Sequence, residues 1–356
     1  MDRAAWRLDK TVHPFATSFA PTDIRLTTNF HEDSLHGILS CLHEFGHGIY
    51  ERQVNPVFTR SPLAQGVSSA FHESQSRMWE NLVGRSIATW RYFYPKLQEG
   101  FPEQFGDVAL ETFHRALNKV QPSFRRVDAD EVTYCLHIIL RFELERAMLS
   151  GDLALKDLPD AFNAKMREYL GLQPPDVVVG VLQDVHWSDM TMGYFPTYAL
   201  GNVVSVQLWE RAEADLGDLD EQFERGEFGT LREWLRENVH QHGRAFTPQE
   251  LLQRVTGSSM DPTPYLRYLE RKLAGEHRPL ELEAEDDVQA VRHLVRVHAP
   301  ERRLHLVQRA VERLERHVAE LLRKPFLQLR IEEPPRRDAA TDQVLPHAAL
   351  RLVERR

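Results

Sequence analysis

Two histidines four positions apart, His43 and His47, bracket Glu44, Phe45 and Gly46. For both imidazoles to meet one ion the segment must be helical, because residues i and i+4 then lie one turn apart on a single face. Glu44 points off that seam, where its carboxylate can reach a water held at the ion. Gly46 costs such a helix roughly 1 kcal/mol against Ala and leaves the backbone room near the histidines. Patterns this short recur by chance. The pentapeptide alone is therefore also readable as two partly buried histidines.

A third donor tips the reading. The run Phe71-His72-Glu73-Ser74-Gln75-Ser76-Arg77 lies at the start of an apolar stretch over 70–83, and Glu73 follows His47 by 26 positions (73 − 47). Asn55-Pro56 and Ser61-Pro62 break the chain between them, so a second helix is predicted to fold back on the first. His43, His47 and Glu73 then make a two-histidine, one-carboxylate set. Catalytic zinc takes three such ligands and leaves one tetrahedral corner to water.

The remaining composition excludes several classes. With 356 residues the chain is long enough for two or three ordinary domains or one large helical one, and 42% apolar residues suffice for a core. A net charge of −9 argues against a general nucleic-acid binder. Cys41 and Cys135 are the two cysteines; they offer neither a disulfide framework nor a cysteine zinc site, and suit a reducing cytoplasm. Met1 leads into Asp2-Arg3-Ala4-Ala5-Trp6-Arg7, without the apolar core of a signal peptide. No stretch approaches the roughly 20 apolar residues of a membrane span. A soluble, cytoplasmic protein with no membrane or nucleic-acid partner is expected.

Along the chain, residues 1–29 read as irregular and extended. Asp23-Ile24-Arg25-Leu26-Thr27 alternates as a half-exposed strand does. Composition prefers a plain edge strand with two solvated charges over an edge that pairs with a bound peptide. Helices are expected over 30–53, 70–94, 108–120, 132–150 and 199–210, with Pro95 and Pro102 in a loop and 151–171 a short amphipathic stretch. Asp130 and Glu131 complement the dipole of the 132–150 helix. Residues 216–229 read as an acidic linker. Short helices follow over 230–241 and 247–257, the second opened by Thr247-Pro248-Gln249-Glu250, and a last one runs to Leu273. Beyond Ala274 the composition shifts to Arg, Glu, His and Leu. An amphipathic helix over 302–322 wants a partner, and Pro334-Pro335 opens a polar tail of low expected order.

Two further groups stand out. Arg125 and Arg126 precede the 132–150 helix. A guanidinium is the usual holder of a carboxylate, yet composition prefers a surface arginine paired with Asp128 or Asp130. His186, Trp187, Tyr194 and Tyr198 cluster in a loop between helices, either as donors to a developing oxyanion or as aromatic packing.

Taken in order, His13-Pro14-Phe15, Asp23 to Thr27, His43 to His47, His72-Glu73-Ser74-Gln75, Arg126-Val127-Asp128-Ala129-Asp130 and Gly180 through Trp187 resemble the motifs of the M32 metallocarboxypeptidases, the carboxypeptidase Taq family. The resemblance covers about 9–273. It implies a mainly α, gluzincin-type metallopeptidase with a deep groove and a small β-sheet near the metal, working as a homodimer with one zinc or cobalt ion per chain. It implies release of single residues from peptides with a free C-terminus, with broad preference and poor tolerance of proline. By position, His43, His47 and Glu73 are similar to the family's ligands and Glu44 to its general base. Arg126 is similar to its carboxylate holder, and His186 with Tyr194 or Tyr198 to its catalytic contacts. Arg25 and His13 fall in motifs of the substrate side. These assignments override the plainer readings of Arg126 and of the 23–27 strand. Family members carry a helical portion of roughly 200 residues ahead of the His-Pro-Phe motif, where this sequence has a dozen. One wall of the groove is then expected to be missing and its apolar faces exposed. Residues 1–273 are expected to form the catalytic portion. An extra helical segment over 274–330 and a polar tail over 331–356 are unmatched. The rival expectations are a zinc endopeptidase using the same triad, and a catalytically impaired remnant that binds metal or a partner.

Overall fold

The structure, a computed structural model, describes residues 4–30 and 34–276. The helix expected over 302–322 and the polar tail lie outside the described residues. The fold is mainly helical with one small sheet, as expected.

Strands β1 (Trp6–Lys10), β2 (Ala16–Ala20) and β3 (Asp23–Thr28) form that sheet in the order β1-β3-β2, with β1 parallel and β2 antiparallel to β3. Residues 4–28 are thus more regular than the sequence suggested. The expected edge strand is instead the central one. Its backbone is paired on both sides, so it has no free edge for a peptide. Alternation did not separate the cases, because Ile24 and Leu26 point inward and are fully buried whichever strand they sit in.

Helix α1 (His36–Gln53) lies on this sheet. A Cβ on Gly48 would come within 2.7–2.9 Å of Trp6, Ile24 and Leu26. The helix starts six residues later than the periodicity predicted. Phe30 lies over Gly37, where a Cβ would come within 2.8 Å of its ring.

Helix α2 (Ser69–Arg77) is capped by Ser68, whose hydroxyl accepts from Phe71 N–H. It runs into one π-helical stretch, Met78–Val83, closed by an i→i+5 bond from Gly84 N–H to Trp79 C=O at 3.0 Å. Helix α3 (Ile87–Gly100) then restarts under a Ser86 cap. The single helix expected over 70–94 is therefore broken at 84–86. A Cβ on Gly84 would sit 2.6 Å from the Glu80 carbonyl and 2.7 Å from Leu42, and the apolar spacing carries on across the break. Pro95 sits inside α3 rather than in a loop, on its exposed side.

Helices α4 (Pro102–Phe105) and α5 (Leu110–Leu117) follow. Trp90, Tyr94, Leu97 and Phe113 make a small second core between α3 and α5. Helix α6 (Glu131–Ser150) begins at Asp130, whose carboxylate accepts from Val132 and Thr133 N–H, and ends at Gly151 in the left-handed region. Helix α7 (Leu158–Leu170) packs on α6. Helix α8 (Pro196–Leu216) extends the predicted 199–210 at both ends, with Pro196 in its first turn. The expected acidic linker contains α9 (Leu219–Glu224), because Leu219 and Phe223 are buried while the acidic residues form its outer face. Helices α10 (Gly229–Asn238), α11 (Pro248–Thr256) and α12 (Thr263–Glu276) complete the described chain. Thr247 and Glu250 form the expected capping box on α11. No helix among the described residues is long and apolar enough to cross a membrane.

Helix α2 is held between α1 and α8. A Cβ on Gly46 would lie 2.5 Å from the Gln75 carbonyl oxygen and from Ser76 Cα. Both neighbours are backbone and cannot rotate away. Gly46→Ala should therefore destabilise the protein by about 1–3 kcal/mol, although Ala is the better helix former. Denaturant unfolding checks this; an unchanged or raised midpoint would show that the helices are not in contact there.

Candidate metal centre

His43 and His47 leave α1 one turn apart, with ring centroids 4.9 Å apart and planes nearly perpendicular. Glu73 faces them from α2, its Oε2 3.8 Å from His43 Nε2 and 3.5 Å from His47 Nε2. One donor atom from each residue lies within 4.8 Å of the other two. Bonds of about 2.0–2.2 Å to a tetrahedral ion put donors about 3.3–3.6 Å apart. The carboxylate is thus nearly at coordinating distance from both rings, and two imidazoles with one carboxylate suit a divalent metal.

Glu73 reaches this position because its helix is closely approached on two sides. Gly46 lets α1 touch its backbone, and on α8 a Cβ at Gly201 would lie 2.6 Å from Glu73 Cγ and 2.7 Å from its Cβ. Arg77, one turn on, donates from Nε to Glu73 Oε1 at 2.8 Å. That leaves Oε2 for the histidines.

Both histidines have partners on their far nitrogens. His43 Nδ1 is 2.8 Å from Glu80 Oε2, which also accepts from Arg77 Nη1 at 3.2 Å. His47 Nδ1 is 2.6 Å from His72 Nδ1, and His72 Nε2 is 2.8 Å from Glu51 Oε1.

The surroundings shift the three groups in different directions. Burial alone would raise Glu73, but His43, Arg77 and His47 outweigh it and hold the carboxyl well below its usual range. Burial pushes His47 down to about 4, which keeps a lone pair on the ring. Burial also lowers His43, but Glu73 and Glu80 outweigh it and raise the ring above its ordinary value. Glu44 is 7% exposed. Burial pushes it up to about 7, against the opposing pull of His43.

A second cluster adjoins the first. Arg126 sits in a one-turn 3-10 segment before α6 and is 7% exposed. Its Nε donates to Asp184 Oδ1 at 2.9 Å and its Nη1 to the Tyr134 hydroxyl at 3.1 Å. Asp184 Oδ2 accepts from Arg141 Nε at 2.6 Å. Two buried guanidinium groups share one carboxylate, so the cluster keeps an excess positive charge. The surface-arginine reading therefore fails for Arg126. It is Arg125 that lies exposed near Asp128, at 3.9 Å, while Asp130 caps α6.

His186 Nε2 is 2.9 Å from the Tyr198 hydroxyl, and the Arg126 guanidinium lies over the Tyr198 ring at 4.8 Å. The Tyr194 ring stands 5.7 Å from His186 and 5.4 Å from Tyr198. Burial raises both phenols, and the charge of Glu73 adds to the rise in each. The Arg77 guanidinium stacks on Tyr134 at 4.0 Å. A continuous path therefore runs from Glu73 through Arg77 and Tyr134 to Arg126.

Arg25 and His13 have other surroundings. Arg25 is exposed, doubly bonded to Asp23 at 2.9 Å and stacked on Phe19 at 4.7 Å. His13 is exposed, with Nδ1 2.7 Å from the Pro14 carbonyl. A cleft of ≈ 620 Å³ opens beside Trp6, Phe45, Ile49 and Arg52; His43, His47 and Glu73 are not among its lining residues.

Several residues of the two clusters escaped the reading of the sequence. Arg77 and Glu80 follow Glu73 by four and seven positions, and Glu51 follows His47 by four. Helical spacing alone puts each on the face of its candidate ligand, so that signal was present. Nothing local marked Tyr134, Arg141 or Gly201.

Comparison with known proteins is consistent with this geometry. A family model, Carboxypeptidase Taq (M32) metallopeptidase, matches residues 1–273. Thermostable carboxypeptidase 1 of Thermus thermophilus is 48% identical over 274 residues, 77% of this chain and 54% of that protein. Carboxypeptidase 1 of Bacillus subtilis is 43% identical over 267 residues, 75% of this chain and 53% of that one. Among solved structures, an M32 carboxypeptidase from Deinococcus radiodurans superposes with a TM-score of 0.76 at 47% identity, over 77% of this chain and 56% of that one. The chain spans about half the length of the curated relatives it matches.

If Gly201 makes room for the Glu73 side chain, Gly201→Ala should weaken Zn2+ binding roughly 10- to 100-fold, the range typical of groups that orient a ligand. Helical circular dichroism should persist. Unchanged affinity by chelator competition would show that Glu73 does not depend on that contact.

Proposed function

The chain belongs to the carboxypeptidase Taq (M32) family of metallopeptidases, and from that premise we propose that it is a metal-dependent carboxypeptidase acting on peptides with a free C-terminus. The observation that carries the reading is the convergence of His43, His47 and Glu73 beside a buried, net positive arginine cluster. Two imidazoles and one carboxylate suit zinc, with cobalt the alternative. Bound there, a divalent ion supplies Lewis acidity, lowering the pKa of water towards roughly 7 and polarising a carbonyl.

The chain's own groups supply the rest. Glu44 takes the proton of the attacking water and hands it to the leaving amine. Burial raises its carboxyl in the metal-free protein, and a bound cation would pull it back down, towards the form that accepts a proton. Arg126 receives the terminal carboxylate of the peptide. Of its five N–H groups, Asp184 and Tyr134 engage three, and Arg141 offsets the charge of Asp184. His186, Tyr198 and Tyr194 offer donors to the oxyanion. Two free cysteines, Cys41 and Cys135, support a cytoplasmic setting. Pairing of the chain with itself rests on the family resemblance.

Glu44→Gln should retain one ion per chain while kcat falls by about 10²–10⁴-fold; near-full turnover would remove Glu44 from the base role. Arg126→Ala should penalise peptides with a free C-terminus and spare amidated ones. Equal losses on both would point to an endopeptidase. Metal analysis alongside hydrolysis of a blocked dipeptide tests the whole reading. A bound ion without turnover would make the chain a metal-binding remnant.

A further inference from the structure

The two histidines of the centre are not supported in the same way. His43 Nδ1 meets a carboxylate directly, Glu80 Oε2 at 2.8 Å. His47 Nδ1 meets a second imidazole, His72 Nδ1 at 2.6 Å, and the carboxylate stands one step further out, with Glu51 Oε1 2.8 Å from His72 Nε2. Resting on the metal reading above, we propose that His72 and Glu51 form a relay that fixes the tautomer and orientation of His47 as a ligand.

An ionised carboxylate can only accept hydrogen bonds. Glu51 Oε1 already accepts from Gly66 N–H at 3.1 Å, so His72 must donate to it from Nε2. Taken as neutral, the His72 imidazole carries one N–H, which leaves a lone pair on its Nδ1. The 2.6 Å contact is then a hydrogen bond only if His47 Nδ1 holds the proton. That puts the lone pair of His47 on Nε2, the nitrogen that faces Glu73 Oε2 at 3.5 Å. Every link thus directs a lone pair into the centre.

The relay is held on several sides. Glu51 lies one turn beyond His47 on α1, and its Oε2 is within 3.4 Å of the Ser18 hydroxyl on β2. His72 directly precedes the ligand Glu73 on α2, and its ring packs on Tyr50 at 5.3 Å. A Cβ on Gly66 would lie 2.9 Å from the His72 ring and from Tyr50. The relay therefore ties α1, α2 and the sheet together beside the ligands. His72 and Glu51 are positioning residues and do not touch the ion.

The test measures Zn2+ affinity by competition with a chromophoric chelator, and the visible absorption of the Co2+-loaded protein. His72→Ala should weaken Zn2+ roughly 10- to 100-fold, the usual range for partners of metal-bound histidines, and shift the Co2+ bands. Glu51→Gln, which keeps the size and removes the charge, should shift the bands in the same direction with a smaller loss. His72→Gln can accept from His47 and donate to Glu51, and should restore most of the affinity. The unfolding midpoint of the metal-free protein serves as the control for a merely structural role. Affinity and spectrum unchanged in both His72→Ala and Glu51→Gln would overturn the relay. So would a loss matched by a fall in the metal-free midpoint and not rescued by Gln. His47→Ala separates this from failure of the site itself. If that variant binds Zn2+ as tightly as the unchanged protein, the metal reading falls and the relay with it.

Discussion

The close crossing of α1 and α2 governs the rest of the structure. At Gly46 the two backbones approach so nearly that a single Cβ would overlap the Gln75 carbonyl. Only at that separation can a carboxylate with two methylenes, on Glu73, reach both imidazoles of the neighbouring helix. A second glycine, Gly201, brings α8 equally close on the other side of Glu73. The Glu73 side chain is thus wedged between helices and would lose little further freedom on meeting an ion, which is how a site is preorganised. The sheet has a matching role, since β1 and β3 pack on α1 through Gly48.

Charge is arranged with equal economy. Glu73, Arg77 and Glu80 alternate in sign along one face, and Arg85 stands 3.8 Å beyond Glu80. Asp184 lies between Arg126 and Arg141. Buried ion pairs are weak contributors to stability, because desolvation offsets their attraction. Here they set which oxygen or nitrogen of each group is left free. Arg77 engages one oxygen of Glu73 and leaves the other for the histidines, while its face stacks on Tyr134. The hydrolytic end and the carboxylate-holding end of the proposed site are therefore mechanically joined.

Much of the fold was legible in the sequence, for particular reasons. Capping residues announced α11, and a continuous apolar stripe announced α6. The readings that failed did so where a local pattern is compatible with two settings. Asp23 to Thr27 alternates as any strand does, so its place in the middle of the sheet was invisible. The apolar spacing over 70–94 continues through a π-helical turn and a break at Gly84. Acidic residues between 216 and 229 looked like a linker because Leu219 and Phe223, the two that anchor α9, are few. Pro95 looked like a stop, and it sits within α3 on the exposed side.

By itself the sequence determined the donors: which residues can bind a divalent ion, and that a helix must carry two of them. Side-chain chemistry and a 3.6-residue period are local properties, and the pentapeptide with Glu73 states them fully. The tertiary structure alone decided what surrounds those donors. It chose Arg126 over Arg125 for the buried cluster and set His72 and Glu51 behind His47. It also placed Gly201 against Glu73, from a helix more than a hundred residues along the chain. Such choices depend on the distance between elements far apart in sequence, and that distance follows from packing the whole core, which no single stretch encodes.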